Sequence, residues 1–144
     1  MEDFFYQYGI TSVVRAWGED AEDYLQSQWT IDITKIKTGE VRFGLRLTSK
    51  GKILAGAYIA RLDDEEFLLI GEKIPATEII NLMEENVVAD EIEFSDDSGR
   101  WQFLSLYFSD PTACASKLNK SAPQDNQFLD FEGGWLWIDK RMQN

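Results

Sequence analysis

Two arginines on one strand, a lone cysteine and a dense run of acids are the side chains here best suited to chemistry. The chain has 144 residues, with 26 acidic and 14 basic side chains, no histidine and one cysteine, Cys114. Without histidine there is no Ser-His-Asp or Cys-His catalysis and no imidazole metal site. One cysteine gives neither an intrachain disulfide nor a CxxC pair; any metal site would have to be all-oxygen or built between chains, and no metal cofactor is expected. Cys114 stands among Ala113, Ala115 and Ser116, where a small buried residue is the simpler reading than a reactive thiol. Arg42 and Arg46 share one face of a strand, about 13 Å apart. Such a pair could hold the carboxylate tail of a ligand or nucleic-acid phosphates. The alternative is two arginines on a solvated sheet face.

The formal charge of −12 is local. From Asp63 to Asp97 there are 13 acids and one base, Lys73, giving −12; the remaining residues carry 13 of each sign and cancel. Within them, Thr34 to Arg61 holds seven bases against Glu40 alone, a net +6. A clustered charge is either a solvated face or a patch that steers a partner of opposite sign.

The elements that position these residues follow from periodicity. Ile10 to Ala16 reads as a first strand, rich in β-branched residues. Gly18-Glu19-Asp20 opens a helix with Ala21, Tyr24, Leu25 and Gln28 on one stripe. Val41 to Thr48 alternates, with Val41, Phe43, Leu45 and Leu47 on one face. Lys52 to Leu62 is apolar on both faces and reads as an interior strand. Glu66 to Gly71 is the next strand, and Pro75 begins a helix with Ile79, Ile80, Leu82 and Met83 inward. Glu91 to Phe94 reads as a strand and Ser95 to Gly99 as a loop. After it come a strand at Trp101–Phe108, a short helix from Asp110 and a hairpin of Phe128–Phe131 with Trp135–Ile138. The aromatic cluster Phe4, Phe5, Tyr6 and Tyr8 either packs on the sheet or forms a partner-binding arm. This order predicts an α+β fold, a mostly antiparallel sheet with flanking helices. No apolar run approaches the ~18 residues that span a bilayer, and the acidic N-terminus is unlike a signal peptide. A cytoplasmic protein is expected.

The segment from Val14 to Phe108 resembles the folate-binding domain shared by the glycine-cleavage aminomethyltransferase and the YgfZ-type proteins. The resemblance rests on an ordered set: Gly18-Glu19-Asp20-Ala21, then Tyr24-Leu25-Gln26-Ser27-Gln28-Trp29-Thr30-Ile31-Asp32, Ser49-Lys50-Gly51-Lys52-Ile53-Leu54, Phe67-Leu68-Leu69-Ile70, and Trp101 to Leu106. The Gln-Ser-Gln run and the Lys-Gly-Lys turn look closer to the YgfZ type. In the transferase, the strand after the glycine turn carries an Asp-Asp pair that assists the chemistry. The matching positions here are Ala55 and Gly56, which hold no proton and pair with no amine.

The resemblance implies tetrahydrofolate or a derivative as ligand, no aminomethyl transfer, and an accessory role in iron–sulfur cluster assembly or maintenance and in tRNA modification. Positions lining the family's folate cavity fall at Thr11, Phe43, Gly56 and Glu72. Phe43 would stack on a pterin ring, although its place on the apolar face suits a core residue equally. Glu72 would accept from pterin N–H groups or stand as a solvated loop acid, and Gly56 marks close backbone approach or a packing need. The expected division is a folate-binding lobe over residues 1–98 and the start of a second β-α-β-β lobe over 99–144, packed on the first. The family's cavity is built by several domains, so a protein partner or a second copy would complete it here. Neither a membrane nor direct nucleic-acid binding is expected. The alternative function is an acidic protein-interaction scaffold that has lost folate; an active aminomethyltransferase ranks last.

Overall fold

The computed structural model describes residues 4–7, 11–107, 110, 112, 115, 116, 121, 123, 124, 126–131 and 133–138. Its elements are β1 (Phe4–Gln7), β2 (Thr11–Trp17), α1 (Ala21–Gln28), β3 (Val41–Leu47), β4 (Ile53–Asp63), β5 (Glu66–Glu72), α2 (Ala76–Glu84), β6 (Glu93–Asp96), β7 (Leu104–Tyr107), β8 (Phe128–Phe131) and β9 (Gly134–Trp137). Single 3₁₀ turns lie at Ile33–Lys35 and Ser98–Arg100.

Five strands form one antiparallel sheet in the order β3-β4-β5-β2-β6. β1 pairs with β7, and β8 with β9, as separate antiparallel pairs. This is the α+β, mostly antiparallel architecture that the element order predicts. The β4–β5 connection is tight because the Asp63 carboxylate accepts from the Glu65 amide at 2.9 Å. The β3–β4 turn closes in the same way: the Lys52 amide donates to Thr48 Oγ1 at 3.0 Å. Gly51 takes the left-handed φ of +80° that the turn requires.

Each face of the sheet has its own core. On one, Val14, Ala16, Ala57, Ile59, Phe67 and Leu69 pack under α1 and α2, against Leu25, Ile79 and Met83. Fully burying such side chains contributes roughly 1.5–3 kcal/mol each. The other face carries Val13, Val41, Tyr58, Ala60, Leu68 and Ile70. An aromatic layer covers it, with Trp101, Phe103, Phe128, Trp135 and Trp137 packed against those residues. β8 is anchored beside β3, where the Phe128 amide donates to the Gly39 carbonyl at 3.0 Å.

Several expected boundaries move. An additional strand, β1, precedes the first expected one, so the aromatic stretch at Phe4–Gln7 is sheet and not a free arm; Tyr8 lies outside the described residues. Glu91 to Phe94 and the loop from Ser95 give way to β6 at Glu93–Asp96. Pairing of Ser95 with Arg15 and of Asp96 with Val14 holds two turn-favouring residues extended. Trp101–Phe103 lies outside any strand, its rings used for packing on the sheet. The second hairpin strand runs Gly134–Trp137, one residue earlier than expected, because Gly133 takes the turn position at φ +84°. Of the helix expected from Asp110, Thr112, Ala115 and Ser116 are helical; Cys114 is outside the described residues.

Candidate functional site

The register gathers the four expected ligand positions on the sheet face that carries the aromatic layer. Leu45 pairs with Gly56, and Ala57 with Gly71, so Gly56 stands beside Glu72 one step further along. Glu72 pairs in turn with Thr11. Leu45, Gly56, Glu72 and the backbone at Thr11 thus form a row across four strands, about 14 Å from end to end at ~4.8 Å per strand. Phe43 lies two residues from Leu45 on the same face.

Gly56 is needed beneath the Phe43 ring. A Cβ built at Gly56 would lie 2.9 Å from Phe43 Cζ. The ring of Phe43 meets Tyr58 edge-on at 5.3 Å, and Tyr58 meets Trp137 at 5.3 Å. Phe43 is therefore half-buried at the end of an aromatic ladder, both a packing residue and a flat apolar surface beside Glu72. Ala55 points the other way, 6% exposed in the core under the helices. Gly56, by contrast, lies on the aromatic face. Glu72 is the one carboxylate in the row, so the row has no acid–base pair. It offers a flat apolar contact and a carboxylate.

Arg42 and Arg46 are not brought to this row. They pair with Ile59 and Ala55, on the helix-covered face of the edge strand β3. Arg42 Nη2 is 3.8 Å from Glu40 Oε2, and Arg46 Nη1 donates to the Leu47 carbonyl at 2.6 Å. The Nε of each is buried without a hydrogen-bond partner among the described residues. A freely solvated sheet face is therefore not their setting.

Sequence reasoning missed the best-connected arginine. Arg61 is 9% exposed and stacks on Phe67. It donates to the carbonyls of Ile36, Asp63 and Asp64, each at 3.1 Å, and pairs with Glu22 at 2.5 Å. It ties α1, the Ile33–Lys35 turn and the β4–β5 turn together. Arg15 was also missed: Nε donates to Glu66 at 2.6 Å, which raises the guanidinium's pKa, and its charge lies over the Trp17 ring. The only hint was their position inside otherwise apolar strands.

A groove of about 430 Å³, open to solvent, is lined by Glu84, Val87, Ile92, Glu93 and Phe94. It lies where the end of α2 meets the edge strand β6, apart from the row at Gly56. Among the described residues no group of three or more Asp, Glu or Cys could hold a metal ion, and no helix is long and apolar enough to cross a membrane.

Comparison with known proteins accords with this layout. An uncharacterised protein of Haemophilus influenzae is 26% identical over 94 residues, covering 65% of this chain and 33% of that protein. The chain thus spans about a third of the length of the curated relative it matches. The crystal structure of the glycine cleavage system aminomethyltransferase T from Bartonella henselae superposes with a TM-score of 0.74 at 16% identity, covering 88% of this chain and 35% of that one. That likeness gives the fold. The family model of the GCVT N-terminal domain matches residues 11–132, most of the chain. Because that match spans well over half of its residues, the chain belongs to the GCVT N-terminal domain family.

Proposed function

We propose that the chain is a non-catalytic, folate-binding member of its family that holds a reduced folate against the aromatic face of its sheet. One observation carries the reading: Phe43, Gly56 and Glu72 lie on one face of the sheet, in line with Thr11. By resemblance, Ala55 and Gly56 stand where the transferase has acids. The residues fit a pterin, a flat ring with several N–H donors. Phe43 supplies the apolar contact and Glu72 the acceptor. A bound folate would carry one-carbon groups; these side chains bind and orient it, and none of them moves a proton. By resemblance to the YgfZ type, the role is an accessory one in iron–sulfur cluster maintenance and tRNA modification, in the cytoplasm. The match covers about a third of each relative, and by resemblance to the family's cavity, which several domains build, a partner or second copy would complete the site.

The test is titration of the purified chain with tetrahydrofolate while following tryptophan fluorescence, since Trp137 reaches Phe43 through Tyr58. A saturable change with Kd at or below about 1 mM is expected, roughly −4 kcal/mol. Phe43→Leu and Glu72→Gln should each weaken it about tenfold. No saturable change up to that concentration overturns ligand binding by this chain, and aminomethyl-transfer turnover would overturn the non-catalytic reading.

A further inference from the structure

We infer that the edge strand β6 and the adjoining groove form a docking site for a basic, extended segment of another protein, which binds by adding a strand to the sheet. This goes beyond the folate reading and does not depend on it.

Geometry supplies the first argument. β6 ends the five-stranded sheet, with β2 on one side only. The Asp97 amide donates to the Val13 carbonyl at 2.9 Å, which makes Val13 and Asp97 a hydrogen-bonded pair. Antiparallel alternation then directs the N–H and C=O groups of Phe94 and Asp96 away from β2. Neither residue has a backbone partner on that outer side among the described residues. The sheet's opposite edge is closed: Val41 donates to the Asn126 carbonyl at 2.6 Å, and Leu45 to Thr30 Oγ1 at 3.0 Å. Among the described residues, one edge is capped and the other offers four backbone groups, the requirement for strand addition.

Chemistry supplies the second. The groove of about 430 Å³ runs beside this edge, with Val87, Ile92 and Phe94 as its apolar lining and Glu84 and Glu93 as its acids. From Ile74 to Gly99 there are eight acids and no base. Two β6 edges meeting would oppose like charges, which disfavours a second copy as occupant. A strand that alternates Lys or Arg with Val or Ile satisfies both requirements. Its apolar side chains enter the groove and its cations face the carboxylates.

The probe is a fluorescein-labelled twelve-residue peptide alternating lysine and valine, added to the full chain at about 0.15 M salt. A lysine–proline peptide of equal length and charge is the control, because it cannot form a strand. The expected result is binding of the lysine–valine peptide at least tenfold tighter than the control. Amide exchange at Phe94 and Asp96 should slow at least tenfold in the complex. Glu84→Lys with Glu93→Lys, both at exposed positions, should weaken binding at least tenfold while the melting temperature stays near wild type. Equal binding of the two peptides, unchanged exchange at Phe94 and Asp96, or full affinity in the double variant would each overturn the proposal. So would protection of these amides by self-association without peptide.

Discussion

Ser12, on β2 against β5 and α2, is 2% exposed, and its hydroxyl has no hydrogen-bond partner among the described residues. It sits 2.5 Å from where a Cβ on Gly71 would stand, so the site has little room for a second polar group. A buried unsatisfied hydroxyl costs about 1–3 kcal/mol. Ser12→Ala should therefore raise stability by about 1 kcal/mol, read as a higher urea midpoint at unchanged slope; a lower midpoint would show a hidden partner. Legibility at this scale was uneven. Alternation along Val41 to Leu47 correctly separates Phe43 from Arg42 and Arg46, and of the two readings open for Gly56 the contact with the Phe43 ring favours a packing need. Which face the helices cover depends on strand order, which alternation along one strand does not contain. Arg61 was unreadable for a related reason: Glu22, Ile36 and Asp64, its partners, come from three separate elements.

Among the elements, the entry to α1 is the most constrained. Gly18 adopts φ +143°, and a Cβ there would lie 2.1 Å from the Glu91 carbonyl oxygen. The Asp20 carboxylate accepts from the Glu91 amide at 2.7 Å, so this turn also fixes the approach to β6. Gly18→Ala combines a disfavoured conformation with a backbone collision and should cost about 3 kcal/mol or more. The thermal midpoint should fall by roughly 6 °C or more; an unchanged melt would mean that the turn relaxes freely. Strong periodicity made α1, α2 and the β3–β4–β5 meander legible. Tertiary pairing decided the others. Half of β6, Ser95 and Asp96, consists of residues that favour turns, and β1 becomes a strand only by pairing with β7, far along the chain.

On the scale of the whole molecule, the missing histidine makes pH dependence simple. Hydrogen bonds from Thr34, Ser98 and Thr112 hold the carboxyls of Asp32, Asp96 and Asp110 below the ordinary 3.8. A depressed folded-state pKa gives stability that is present above the unfolded value and lost as pH falls through the folded one. The urea midpoint should stay level from about pH 5.5 to 8 and decline below about pH 4. A transition centred between pH 6 and 7 would contradict this. The central place of β2 has a temporal consequence. It leaves the ribosome before the other strands of its sheet, yet pairs only with β5 and β6. While synthesis proceeds, the β3–β4–β5 meander can close through local contacts, whereas β2 must wait for the residues up to Glu72. Within this sheet, the aliphatic run at its middle, Val13 and Val14, is thus the segment that waits longest for its partners and most needs protection from aggregation meanwhile.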